Sequence, residues 1–307
     1  MQELLRSWLL IAGLSLCLAS GGCSIRRYAI KKASDVLAQS GSTFAGDDDP
    51  ELIKAAVPFS LKLMESFLAE NPQHTGLLTA AASGFTQYAY AFVQQDADEI
   101  ESEDFAKAEA MRDRARRLYL RAKQYGLRGL EVKRPGFGKA LLVDPKATAT
   151  TATMVEVPLL YWTAAAWASA ISLSKDNPEL VGQLPAMGAL ITRALELDET
   201  YGNGAIHTFM IAYEMSRPAA RGDPVARARQ HFERAVALSK GQEASPFVVF
   251  AETVTIQTQD MKEFESLLNQ ALVIDTDANP STRLVNLVMQ RRARWLLSRK
   301  SELFLGD

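Results

Sequence analysis

Apolar residues recur along this chain with the period of a helix, and no long stretch alternates with the period of a strand. Phe85, Tyr88, Ala89 and Phe92 fall at i, i+3, i+4 and i+7, and Met111, Ala115, Leu118, Tyr119 and Ala122 repeat the pattern. Four helix starts share one chemistry: Asp49-Pro50, Asp223-Pro224, Ser245-Pro246 and Asn279-Pro280. A polar N-cap accepts a bond from an orphan backbone N–H, and proline at the next position loses nothing, because its missing N–H has no partner there anyway. Asn71-Pro72, Gly126, Asn177-Pro178 and Gly241 read as helix ends. These signals predict an all-α chain of about ten helices, over 50–70, 75–95, 103–125, 157–174, 179–197, 203–216, 224–239, 246–258, 261–275 and 280–299.

Aligning helix ends exposes an internal repeat. Ile191-Thr-Arg-Ala-Leu-Glu-Leu-Asp198 matches Phe232-Glu-Arg-Ala-Val-Ala-Leu-Ser239 and Leu268-Asn-Gln-Ala-Leu-Val-Ile-Asp275, with Leu63-Met-Glu-Ser-Phe-Leu-Ala-Glu70 as a fainter copy. The offsets between the first three are 41 and 36 (191 to 232, 232 to 268), close to the roughly 34 residues of a tetratricopeptide repeat. A small residue (Ala194, Ala235, Ala271 or Ser66) marks where helices approach closely, and one helix pair buries only one face, so pairs must stack. The expected architecture is a tetratricopeptide-like helical-hairpin solenoid, with a plain antiparallel bundle as the alternative. Leu130 to Val157 interrupts the pattern with Pro135-Gly136, Asp144-Pro145 and a Thr/Ala run, and reads as an irregular excursion packed over the helices.

The N-terminus reads as a targeting segment. Arg6 is followed by a mostly apolar run from Trp8 to Ala19, too short to span a bilayer comfortably. It ends in Ala19-Ser-Gly-Gly-Cys23-Ser24, small residues running into a cysteine, which resembles a bacterial lipobox. That resemblance implies cleavage of residues 1–22 and lipidation of Cys23. An ordinary secretory signal cut near Ala19, or an uncleaved anchor, is the alternative. The remaining cysteine, Cys17, lies in the leader, so the mature chain has no internal disulfide and rests on its core alone. Residues 23–46 read as a lipidated N-terminus and tether carrying Arg26, Arg27, Lys31 and Lys32, and residues 47–307 as one helical domain. Ser24 after the cysteine resembles lipoproteins of the outer membrane.

A formal net charge of -2 over 307 residues gives no electrostatic case for nucleic acid. Catalytic signals are missing too. Gly136-Phe-Gly138-Lys139 lacks the spacing and the hydroxyl of a phosphate loop, and Ser83-Gly84 lacks the strand and first glycine of a nucleophile elbow. His74, His207 and His231 are the only histidines, in no metal-ligand spacing. The chain reads as a non-enzyme with no metal and no cofactor.

Several strings resemble one family: Gly84-Phe-Thr-Gln-Tyr-Ala-Tyr-Ala-Phe-Val93, Ala115-Arg-Arg-Leu-Tyr-Leu-Arg-Ala122, Tyr125-Gly-Leu-Arg-Gly-Leu-Glu131, Pro158-Leu-Leu-Tyr-Trp-Thr-Ala-Ala-Ala-Trp167, Ile171-Ser-Leu-Ser-Lys-Asp176, Gly204-Ala-Ile-His207 and Tyr213-Glu214. From Phe44 to Phe304 they are similar, in order, to TatT, the tetratricopeptide-type lipoproteins associated with TRAP (tripartite ATP-independent periplasmic) transporters. The resemblance implies a periplasm-facing lipoprotein held to the membrane by its N-terminal lipid. Its expected partner is a TRAP-type solute-binding protein. It also implies self-association (a homo-oligomer such as a trimer) and a cleft or pore for an apolar ligand. The alternative function is a scaffold for envelope assembly with no small ligand.

Tyr161, Trp162 and Trp167 sit in an alanine-rich helix that is apolar all round, so they line a cavity or pack a core; Tyr88, Tyr90 and Phe92 carry the same ambiguity. Asn203, His207 and Glu214 share one helical face, and His207 joins the candidate ligand-binding set. Arg114, Arg117 and Arg121 share another, with Arg128 beyond, as a partner-binding stripe or a solvated face. The acidic run Asp96, Asp98, Glu99 and Glu101 and the basic run Arg291, Arg292, Arg294, Arg299 and Lys300 read as solvated.

Overall fold

The computed structural model describes residues 28, 30–39, 41–217 and 222–305, and every regular element among them is helical. Cys23 and the leader lie outside the described residues. Helix α1 covers 30–39 and α2 Gly41–Ala45. Then come α3 (Pro50–Glu70) and α4 (Thr75–Ala89), which runs through an i→i+5 turn at Tyr90–Gln94 into α5 (Gln95–Ile100). The long α6 (Phe105–Glu131) precedes three elements within the stretch 130–157: α7 (Phe137–Val143), α8 (Pro145–Thr150) and a 3-10 turn at Met154–Glu156. Helix α9 (Val157–Ser172) leads to α10 (Pro178–Val181), α11 (Leu184–Leu197), α12 (Tyr201–Ser216) and α13 (Pro224–Leu238). Helix α14 (Ser245–Phe250) passes through a second i→i+5 turn, Ala251–Thr255, into α15 (Ile256–Thr258). The chain closes with α16 (Met261–Leu272), α17 (Arg283–Ser298) and α18 (Lys300–Leu303).

Most starts follow the expected chemistry. Asp49 accepts from the N–H groups of Glu51 and Leu52, Asp223 from Val225, and Asn279 from Ser281, each followed by proline. Ser245 differs: it is the first residue of α14, and Asn286 Oδ1 accepts from the Ala244 N–H that precedes it. Asn177-Pro178, read as an end, instead starts α10, with Asn177 accepting from the Leu180 N–H.

Gly126 does not end α6. A Cβ there would lie 2.0 Å from Thr163 Oγ1, and one at Gly129 would lie 2.5 Å from Leu159 Cδ2. These glycines let α6 and α9 touch, so the helix runs on to Glu131. Helix α9 with its preceding turn is long and apolar enough to cross a bilayer, yet it packs against α4, α6 and α11 at the centre of the fold. The stretch 130–157 is a short helical cap and not an irregular excursion. Asp144 caps α8, Glu156 ion-pairs with Arg134 and accepts from Thr153, and Arg193 donates to the Ala152 carbonyl at 3.0 Å.

Buried side chains form two clusters. The larger draws on α3, α4, α6, α9 and α11, and the smaller on α14, α16 and α17, with Phe304 closing it. Ala194, Ala235 and Ala271, the small residues of the repeat, are fully buried at close helix approaches. Ser66 in the faint copy is exposed, its hydroxyl donating to the Lys62 carbonyl, so that copy does not share the packing. On α17, Val288 belongs to the first cluster and Met289 to the second, and Tyr90 packs against both.

Candidate functional site

A cavity of about 1060 Å³ lies at this seam. Ile53, Val57, Leu61 and Met64 form its α3 wall, at the i, i+4, i+8, i+11 spacing of one helix face. Leu284, Val288 and Met289 of α17 face it, and Tyr88, Tyr90, Ala91 and Phe92 form a third wall. Asp35, Asn71, Gln73 and His74 make a polar rim, and Ser60, Thr79, Ser83 and Gln87 add scattered polar groups from α3 and α4. A mainly apolar lining with a polar rim suits an amphiphile: the chain gains by leaving water, and the head keeps hydrogen-bond partners.

Tyr88, Tyr90 and Phe92 thus come together. In a regular α-helix Tyr90 sits roughly 200° from Tyr88 and on the opposite face. The i→i+5 turn beginning at Tyr90 relaxes that constraint. The Tyr90 ring reaches the seam, its hydroxyl 3.8 Å from Met289 Sδ, and burial pushes the phenol up to about 12.

The remaining aromatic candidates do not reach the cavity. Trp167 is 1% exposed in the first core cluster, and its indole N–H donates to Gln183 Oε1 at 3.1 Å. Tyr161 packs edge-on to Trp162 at 4.9 Å and against Tyr201 at 5.4 Å. Burial raises the Tyr161 phenol and also the nearby Glu243 carboxyl, which accepts from Asn203 Nδ2 at 3.0 Å. The alanines around these rings serve tight helix contact: Ala164, Ala166 and Ala170 are all fully buried.

Lys123 lies over the Trp167 ring at 3.8 Å and donates to Gln183 Oε1 at 2.9 Å. Loss of hydration lowers its ammonium to about 8. The unfolded chain therefore binds more protons than the native one from about pH 8 upward, and stability rises with pH there. Above about pH 10 the buried tyrosines, whose pKa values are raised, reverse the slope. Thermal melts from pH 7.5 to 9.5 should show Tm rising, and Lys123→Met should flatten the rise. An equal slope in the variant would place the cause elsewhere.

His207 and Glu214 share the face that meets α13, but Asn203 does not join them. Gly202, Asn203 and Gly204 all have positive φ (56°, 53° and 95°), so Asn203 leaves the helical register of His207. His207 is 6% exposed, with Nδ1 2.9 Å from His231 Nδ1 and Nε2 3.2 Å from Glu199. Burial lowers both imidazoles, against the pull of Glu199 on His207. Glu214 pairs with Arg217 at 2.6 Å and Arg227 at 2.5 Å. Among the described residues no group of three or more His, Cys, Asp or Glu is placed to hold a metal ion.

Arg114, Arg117 and Arg121 lie on one exposed face of α6. Arg114 stacks on Tyr88 with its guanidinium 5.8 Å from the ring, and donates to the Tyr88 hydroxyl at 3.4 Å. Arg121 lies over Phe85 and Arg128 over Tyr125, and Phe85 and Tyr125 stack on each other. Arg121 also lies 3.6 Å from Glu65 and Arg128 donates to the Pro72 carbonyl at 3.3 Å, so each guanidinium is partly held by its own fold and loses less entropy on meeting a carboxylate.

Sequence reasoning missed the polar seam behind the cavity, because it read both charged runs as solvated. Arg292, 7% exposed, bonds Asp98 at 2.9 Å and Glu252, while Arg291 bonds Asp96 at 2.8 Å and Glu99 at 2.6 Å. Arg112 adds bonds to Asp98 at 3.0 Å and Glu101 at 2.9 Å, and Lys54 to Asp96 at 2.8 Å. Opposite charges in two runs nearly 200 residues apart were the available signal.

Comparison with known proteins adds two findings. The chain is 28% identical over 307 residues to an uncharacterized protein of Treponema pallidum (strain Nichols), an alignment covering 94% of this chain and 95% of that protein. Residues 46–304 match the family described as TRAP transporter T-component, a span that takes in the buried residues of both core clusters, while α1 and α2 precede it. The helical fold, the cavity and the arginine face therefore lie in a chain that belongs to the TRAP transporter T-component family.

Proposed function

We propose that this protein is a lipoprotein of the bacterial envelope, anchored through Cys23 and facing the periplasm, that docks a TRAP-type solute-binding protein and holds an apolar ligand in the seam cavity. One observation carries the reading. Tyr88 lines the cavity, and its hydroxyl accepts from Arg114 on the exposed basic face. A partner seated on Arg114, Arg117 and Arg121 is therefore one side chain from the ligand. Acidic groups on that partner would match the face, with long-range attraction that salt weakens.

Two coupled measurements on the chain from Ser24 test this. Native mass spectrometry with the solute-binding protein of its TRAP system should show a complex, and will report self-association in the same spectra. Replacing Arg114, Arg117 and Arg121 together by Glu should weaken that complex at least tenfold. Titration with a dansyl-labelled undecanoic acid should show binding near one per chain. Val57→Trp with Val288→Trp, which fills the cavity from opposite walls, should weaken it at least tenfold while the circular dichroism holds. A complex without probe binding would favour the envelope scaffold over ligand handling. The absence of both the complex and probe binding would overturn the proposal.

A further inference from the structure

Helices α1 and α2 lie across the cavity and supply Asp35, Ala38, Phe44 and Ala45 to its lining. Their attachment differs from that of the helices beneath. Leu37, Ala38 and Phe44 pack on the first core cluster, but α1 leaves Val36 72% exposed, and Tyr28 just before it is 65% exposed. Polar contacts hold the two helices at Asp35 and at Gly46. His74 Nε2 donates to Asp35 Oδ1 at 3.0 Å, and Arg283 donates to the Gly46 carbonyl at 2.9 Å. The His74 tautomer is fixed by its other nitrogen, which accepts from the Leu77 N–H as the cap of α4, so Nε2 carries the proton toward Asp35. Gly76 makes the seat close: a Cβ there would lie 3.2 Å from His74 Cε1 and 3.3 Å from Ala38 Cβ, so a larger residue fits only if its neighbours yield by a few tenths of an ångström.

From this placement we propose that helices α1 and α2 are a lid on the cavity, latched by Asp35 on His74 and hinged at Gly46, and that ligand enters and leaves when the lid lifts. The inference rests on the cavity being a ligand site and adds how that site is closed. A segment with few buried apolar contacts opens at lower free energy than the helices it covers. Lifting it opens the cavity along α4 and α17, on which α1 and α2 rest, and leaves the core helices in place. The latch sits at the polar rim, so its two groups are also those nearest the head of a bound amphiphile.

The seat itself supplies the test. The chain from Ser24 retains every described contact and contains no cysteine. Ala38→Cys with Gly76→Cys places two Cβ atoms close to the roughly 3.5–4.5 Å separation of a disulfide, so oxidation should lock the lid. Stopped-flow fluorescence with dansyl undecanoic acid then compares the oxidised and reduced forms of one protein. Locked protein should take up and release the probe at least tenfold more slowly, and reduction should restore the rates. Asp35→Ala, which spares the His74 cap, should speed release severalfold in the chain without introduced cysteines. Equal rates in a form shown by mass to be disulfide-bonded would overturn the lid while leaving the cavity reading intact. Failure of the two thiols to join under oxidant would contradict the seated position and also overturn it. Absence of probe binding in both forms would instead remove the cavity reading, and the lid with it.

Discussion

Arg292→Met is expected to destabilise the native state by about 3–5 kcal/mol, the range for removing one partner of a buried ion pair. The side chain is 8% exposed and binds two carboxylates, Asp98 of α5 and Glu252 in the second i→i+5 turn. Methionine fills much of the space and keeps contact with Trp295, whose ring the guanidinium now stacks on at 4.2 Å. The loss is thus chiefly electrostatic: Asp98 retains Arg112, and Glu252 is left without its guanidinium at the seam. For a chain of this size the change corresponds to a fall in Tm on the order of 10 °C. Adding Asp98→Asn should cost less in the Arg292→Met background than alone, by more than about 0.5 kcal/mol, because the two share one network. A loss below about 1 kcal/mol on denaturant unfolding would mean that solvent reaches the seam and that the network is decorative.

Trp167→Ala should cost about 3–5 kcal/mol as well, but for the opposite reason, since here an apolar volume is removed from a packed interior. The ring touches α6 through Lys123 and is tied to Gln183 by its N–H. Truncation leaves a hole at the centre of the fold and strands the ammonium that lay over the ring. Trp167→Phe should recover most of the stability, and added indole should recover part of it by occupying the hole. Because Trp167 is not among the residues lining the seam cavity, dansyl undecanoic acid should bind the folded variant with unchanged affinity. A tenfold loss of binding at full helicity would show that the ligand reaches further in than the seam.

These two side chains also mark how far the sequence could be read. Trp167 and Tyr88 look alike in sequence, each a large ring on an apolar helix with alanine neighbours. Periodicity places both inward, and only the neighbouring helices decide whether inward means a filled core or a hollow seam. Arg292 sits in a run of five basic residues that reads as a wet face. Its burial depends on Asp98 and Glu252, which no local pattern brings together.

Local chemistry was legible wherever it acts within a few residues. The Asp-Pro and Asn-Pro starts, the i, i+4 faces and the small residues Ala194, Ala235 and Ala271 determine the helices and where they touch, because capping and burial act over one or two turns. Gly126 shows the limit: the same residue ends a helix or lets two helices touch, and only Thr163, on another helix, distinguishes the cases. The tertiary structure alone decided that Tyr90 joins Tyr88 and Phe92, that two distant charged runs neutralise each other, and that α1 and α2 line the space between. Each of these depends on contacts between segments far apart in the chain, whose closure is settled by the packing of the whole and not by any one stretch.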